Sequence, residues 1–151
     1  MHEFKNLLIP IDLSGISERL VAYGLALAEK LEARIHLIFV LEDIHQYAGL
    51  YVPHPSLGTL EADLKKEAQN KLKDFEEEHV SGKTAQSTVL VGDPTHEIIR
   101  YASDNDIDLI VMGTHGRKGL DRFIFGSVAE KVVKSSPIPV LTVNTYSVES
   151  A

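Results

Sequence analysis

Apolar residues along the chain fall into two kinds of pattern. Leu7 to Ile11, Ile35 to Leu41 and Leu109 to Met112 are apolar at almost every position. Such runs predict strands covered on both faces, as in a parallel sheet. Thr84 to Val91 and Val140 to Val143 are less pure and predict two more strands. Between the first two, Ile16, Leu20, Val21, Leu25, Ala28 and Leu31 recur at helical spacing, which predicts an amphipathic crossover helix. From Ser56 to His79 the stripe Leu60, Leu64, Ala68, Leu72 and Phe75 predicts a second helix laid on the surface. Asp93-Pro94 offers an N-cap and a first-turn proline for a third helix, which ends near Asn105. Ser127 to Glu130 reads as a capping box opening a fourth helix, with Val128, Val132 and Val133 inward and Pro137 and Pro139 closing it.

Strand and helix thus alternate four times before a last strand. This order predicts an α/β fold: a doubly wound, mostly parallel five-stranded sheet with helices on both faces. The 151 residues suit a single domain over 1–151. No repeat or linker interrupts it. The one irregular insertion, Glu42 to Pro55, reads as a mobile loop. The chain has no Cys, so disulfides and zinc–thiolate frameworks are excluded. With 22 acidic against 15 basic residues, a net charge of −7 and no basic tail, it is a poor nucleic-acid or anionic-membrane binder. The opening apolar run is too short for a signal peptide or a membrane span. These features predict a cytoplasmic protein with no membrane insertion.

In open α/β sheets ligands bind beyond the carboxyl ends of the strands, where strand order reverses. Two segments follow such ends: Asp12 to Gly15, and Gly113 to Ser127. Glycines at 113 and 116 allow close backbone approach. Gly126 and Ser127 present the amides and positive end of a helix, an anion site. Residues 113–127 carry Arg117, Lys118 and Arg122 against Asp121, a positive segment in an acidic chain. A plain surface turn with Ser127 as a helix cap fits the same residues, and Asp12 or Ser14 could equally cap the first helix. Gly82-Lys83-Thr84 lacks the leading glycine and preceding strand of a P-loop, and the glycine spacing is not that of a dinucleotide site. The seven His are scattered, and no metal site is expected.

The spacing G-x2-G-x9-G-S, with Leu8 to Ser14, Gly92 to Pro94, Asp108 to Gly116, Gly126 to Val133 and Pro137 to Val143, resembles the universal stress protein family, specifically its ATP-binding branch. The resemblance covers nearly the whole chain. It implies that Asp12 and the backbone around Val40 hold adenine, and that Pro10 and Gly113 lie along the ribose. The amides of His115, Gly116, Arg117, Gly126, Ser127 and Val128 would wrap the phosphates. Thr114, Lys118, Gly119 and Ala129 complete the implied contact set, with no catalytic or metal-ligating residue. The implied ligand is ATP or AMP, with Mg²⁺ accompanying a triphosphate.

The corresponding function is that of a regulatory stress-response module acting on an unidentified protein partner. The alternatives are a slow ATPase or phosphotransferase, for which Asp12 would be the acid near the site, and a nucleotide-independent interaction protein. A homodimer through the edge strand Val140 to Val143 is also expected, because that strand carries no blunting charge and family members commonly pair along it. A proline at Leu141 is the expected way to break it.

Overall fold

Five strands and four helices alternate along the described chain: β1 (Asn6–Pro10), α1 (Gly15–Leu31), β2 (Arg34–Leu41), α2 (His54–His79), β3 (Thr84–Val91), α3 (Pro94–Asp104), β4 (Leu109–Gly113), α4 (Ser127–Ser135) and β5 (Val140–Val143). The computed structural model describes residues 2–43, 54–114 and 127–145. The strands lie in the order β3-β2-β1-β4-β5, and every neighbouring pair is parallel. The doubly wound sheet expected from the alternation is therefore observed.

Burial on both faces explains the continuous apolar runs, since Leu7, Leu8 and Ile9 of β1 are all fully buried. Odd-numbered Leu7, Ile9, Ile35 and Leu37 meet Leu20 and Val21 of α1 and Leu72 and Phe75 of α2. Leu8 and Ile38 meet Ile98 and Tyr101 of α3 and Ala129 and Val132 of α4.

The helix ends follow local chemistry. Asp93 caps α3 by accepting from His96 N at 3.0 Å, and Pro94 occupies the first turn. α1 stops at Glu32, whose left-handed backbone (φ 54°) turns its N–H back to Ala28 O and Glu29 O.

Several expectations need correction. α2 opens at His54, two residues before the expected Ser56. Its stripe reaches the core only from Ala68 onward, and Leu60 is 43% exposed, because the first turns run past the sheet they cross. α4 includes Ser127 as its first residue, so the N-cap position falls on residue 126, outside the described residues. Val133 faces outward at 45% exposure, since Ala129 and Val132 supply the buried face of that short helix. Of the loop expected at 42–55, residues 44–53 lie outside the described residues.

The sheet parts at the switch point for a reason written into β1. Ile11 N donates to Ile38 O at 2.9 Å, so odd-numbered β1 amides face β2 and even-numbered ones face β4. β1 and β4 pair only at Leu7↔Leu109 and Leu8↔Ile110, whereas β1 and β2 stay paired through Pro10↔Ile38. The next rung toward β4 needs an N–H on residue 10. Proline has none, and the ladder ends there.

The other neighbour of β4 settles which groups are free on the β5 edge. Ile110 N donates to Pro139 O and Thr114 N to Val143 O, both at 3.0 Å. Odd-numbered β5 residues therefore face β4, and Val140 and Thr142 carry the outward N–H and C=O groups. Leu141 sits in the internal ladder, so the expectation that a proline there would break the dimer by removing an edge donor is wrong. Proline at Leu141 would break the sheet itself.

Candidate functional site

The turn after β1 is organised by one carboxylate oxygen. Asp12 Oδ1 accepts from Ser14 N at 3.0 Å, Ser14 Oγ at 2.6 Å and Ser17 Oγ at 2.9 Å, while Asp12 N donates to Ser17 Oγ at 3.2 Å. Its short side chain folds back on the next residues, as acids do at turns. Ser14 occupies the N-cap position of α1 but makes no side-chain cap bond, because its hydroxyl is turned to Asp12. The capping reading of Asp12 is thus partly right: the acid holds the entry to α1. All of its hydrogen bonds fall on Oδ1, and Oδ2 has no partner among the described residues.

Two features of this turn were missed from sequence. Ser17 is 3% exposed, a buried hydroxyl on the helix face that meets the sheet, and it bonds Asp12 through both donor and acceptor. The pattern Asp12, Ser14, Ser17 was the available signal. Leu13 lies in the left-handed region at φ 62°, an uncommon state for a residue with a bulky side chain. Only the folded backbone reveals it.

Around the opening between β1 and β4 stand the ends of three adjacent strands: Pro10 ending β1 with Asp12 just beyond it, Val40 and Leu41 on β2, and Gly113 ending β4 with Thr114 just beyond it. Thr114 is buried and tied to β5 by its N–H to Val143 O. Glu42 and Asp43 follow β2 at the same sheet end, so Asp12 is not the sole acid there. Gly92 closes β3 beside them, donating to Leu41 O at 3.0 Å. A Cβ on Gly92 would stand 2.9 Å from Glu97 Oε1, at a φ of 149° that disfavours side chains anyway.

Of the remaining expected site residues, Ser127 is exposed at the start of α4, Val128 is half-buried, and Ala129 is buried in the core. His115, Gly116, Arg117, Lys118, Gly119 and Gly126 lie outside the described residues. Among the described residues no three His, Asp or Glu side chains converge as a metal set.

The model of the universal stress protein family matches residues 3–144. The chain belongs to the universal stress protein family. Its relatives include the universal stress protein MJ0531 of Methanocaldococcus jannaschii, 36% identical over 146 residues that span 93% of this chain and 82% of that protein. Among solved structures, MJ0577 of the same organism superposes with a TM-score of 0.81 at 29% identity, covering 95% of this chain and 97% of that one. A universal stress protein in complex with cAMP superposes with a TM-score of 0.60 at 23% identity, covering 95% and 99%. At that identity the likeness is one of fold.

Family membership accounts for the architecture of this universal stress protein. It leaves the ligand to be argued from the site itself. Away from the site, His36 Nδ1 lies 2.8 Å from Tyr101 OH in the core between β2 and α3. Burial, and secondarily the Arg34 charge, hold the His36 imidazole below its ordinary pKa. Burial also raises Tyr101, partly offset by its hydrogen bond to Thr88. This pair is structural and joins a helix to the sheet.

Proposed function

We propose that residues 1–151 act as one domain that binds an adenine nucleotide, ATP or AMP, at the switch point, and that the bound form regulates a protein partner in a cytoplasmic stress response. The observation that carries this reading is the parted β1–β4 ladder with the unengaged Asp12 Oδ2 beside it. A carboxylate oxygen held rigid through its twin accepts a hydrogen bond without having to be reordered, which suits an amino or hydroxyl donor such as adenine N6. In this reading Asp12 and the Val40 backbone receive the base, while Pro10 and Gly113 flank the ribose. The loop amides of residues 114–119 and the first turn of α4, residues 126–129, take the phosphates. Mg²⁺ would accompany a triphosphate and add positive charge to the phosphates.

The fold supports the reading, since one solved universal stress protein holds cAMP. A slow ATPase remains the second reading, because Glu42 and Asp43 join Asp12 at this sheet end and phosphoryl transfer needs acids for metal and water. Two experiments separate them. Acid release and chromatography of the purified protein should yield an adenine nucleotide near one per chain, and Gly116→Val or Gly126→Val should abolish binding by calorimetry while the protein stays folded. Phosphate release well below an ordinary turnover of about 10 per second, yet lost on replacing one acid, would move the assignment to the slow ATPase.

A further inference from the structure

Among the described residues the sheet has a second free edge, β3, at the side opposite β5. Its backbone alternation follows from Gly92 N, which donates to Leu41 O. Even-numbered residues turn both backbone groups toward β2, and Ser87 and Val89 turn theirs away from the sheet. Natural edges are usually blunted by Lys, Pro or an inward charge. Thr84–Val91 has none.

Beside this edge α2 overhangs a groove of about 450 Å³, floored by Leu72 and Val89 and walled by Ser87, Thr88, Lys65 and Lys73. Ser87 Oγ is buried without a hydrogen-bond partner among the described residues. Lys65 and Lys73 are exposed and have no ion-pair partner among the described residues. With Glu76 as its single lining acid the groove is net positive, on a chain of net charge −7.

We propose that the β3 edge is a docking site for an extended acidic segment of a partner protein, which adds to the sheet as a sixth strand. Main-chain hydrogen bonds to Ser87 and Val89 supply the register, as in other strand additions. The lysines supply the selectivity. Eight helical residues place Lys65 and Lys73 about 12 Å apart along α2. Four residues of extended peptide span about 13 Å and return to the same face, so the partner segment carries acids four positions apart. A second copy of this chain fits less well, because pairing two β3 edges would bring two lysine-lined grooves together. The proposal stands apart from the nucleotide reading, which uses another part of the sheet.

The test is fluorescence anisotropy on the full chain with a labelled nine-residue peptide of alternating Val and Thr that carries Glu at its third and seventh positions. Saturable binding is expected, weakened about fivefold or more when both Glu become Lys. The double variant Lys65→Glu/Lys73→Glu should reverse that preference. Ser87→Pro should lose both peptides while melting close to wild type, because the N–H it removes makes no ladder bond. No saturable binding up to about 1 mM overturns the proposal, as does a charge-reversed variant that keeps the wild-type preference. Unchanged binding by folded Ser87→Pro overturns strand addition. Loss of self-association in Ser87→Pro by sedimentation, without peptide, overturns it in favour of a second copy. If Ser87→Pro does not fold, the charge reversal decides alone.

Discussion

Ser17 Oγ donates to Asp12 Oδ1 at 2.9 Å and accepts from Asp12 N at 3.2 Å, so one buried hydroxyl holds both the acid and its backbone. The pair joins the first turn of α1 to the end of β1. Hydrogen bonds to a charged group contribute about 1.5–3 kcal/mol each when buried, less where water reaches the acid. Ser17→Ala should therefore destabilise the fold by about 1–2 kcal/mol in urea titration and weaken adenine-nucleotide binding by calorimetry, and Ser17→Thr should restore part of both. A folded Ser17→Ala variant with wild-type affinity would show that Asp12 needs no such support.

α1 packs on β1 through the absence of a side chain. A Cβ on Gly24 would stand 2.2 Å from Cδ1 of Ile9. Overpacking costs about 1–3 kcal/mol, and alanine returns about 1 kcal/mol of helix propensity. Gly24→Ala should be destabilising by about 1 kcal/mol in the wild-type background and neutral or stabilising with Ile9→Val, which removes the obstructing methyl. The same Gly24→Ala effect in both backgrounds would place the strain elsewhere.

The buried His36–Tyr101 pair sets a pH dependence whose sign is determined. Burial chiefly, and the Arg34 charge secondarily, lower the His36 pKa in the fold below its ordinary value of 6.5. The imidazole's contribution is fully present above pH 6.5 and is lost as the pH falls below it, because the unfolded chain then binds the proton more readily. Denaturant midpoints should drop on acidification from pH 7.5 to pH 5. His36→Phe should cost stability at the upper end and progressively less at the lower. A constant difference across that range would remove His36 from the titration.

The outward row of β5 belongs to Val140 and Thr142, with Leu141 and Val133 exposed nearby in the fold. If the protein dimerises along this edge, light scattering should give twice the 16.7 kDa chain mass, and Thr142→Pro should lower it toward one chain while leaving the β4 ladder intact. A wild-type mass of one chain, or a folded Thr142→Pro dimer, would exclude this interface.

The sequence by itself determined the element order and the parallel sheet. It could do so because burial on both faces leaves a continuous apolar signature, and because right-handed crossovers admit few arrangements of alternating strands and helices. Asp93 and Pro94 were legible as a helix start for the same local reason: the cap and the residue it bonds lie three positions apart. The glycine spacing carried the family.

Tertiary structure alone decided the rest. Pro10 is an ordinary strand residue until the parity of its amide is known, and that parity depends on which neighbour lies on each side. The same alternation moved the free edge from Leu141 to Val140 and Thr142. Leu60 and Val133 matched a helical stripe, yet are exposed because a stripe says which face is apolar and not how far the sheet extends beneath it. Gly24 and Ser17 lie outside the apolar stripe of α1, and their small size is what lets that helix approach Ile9 and Asp12. Each of these depends on distances between residues that the chain order leaves apart, which periodicity along one helix or strand does not encode.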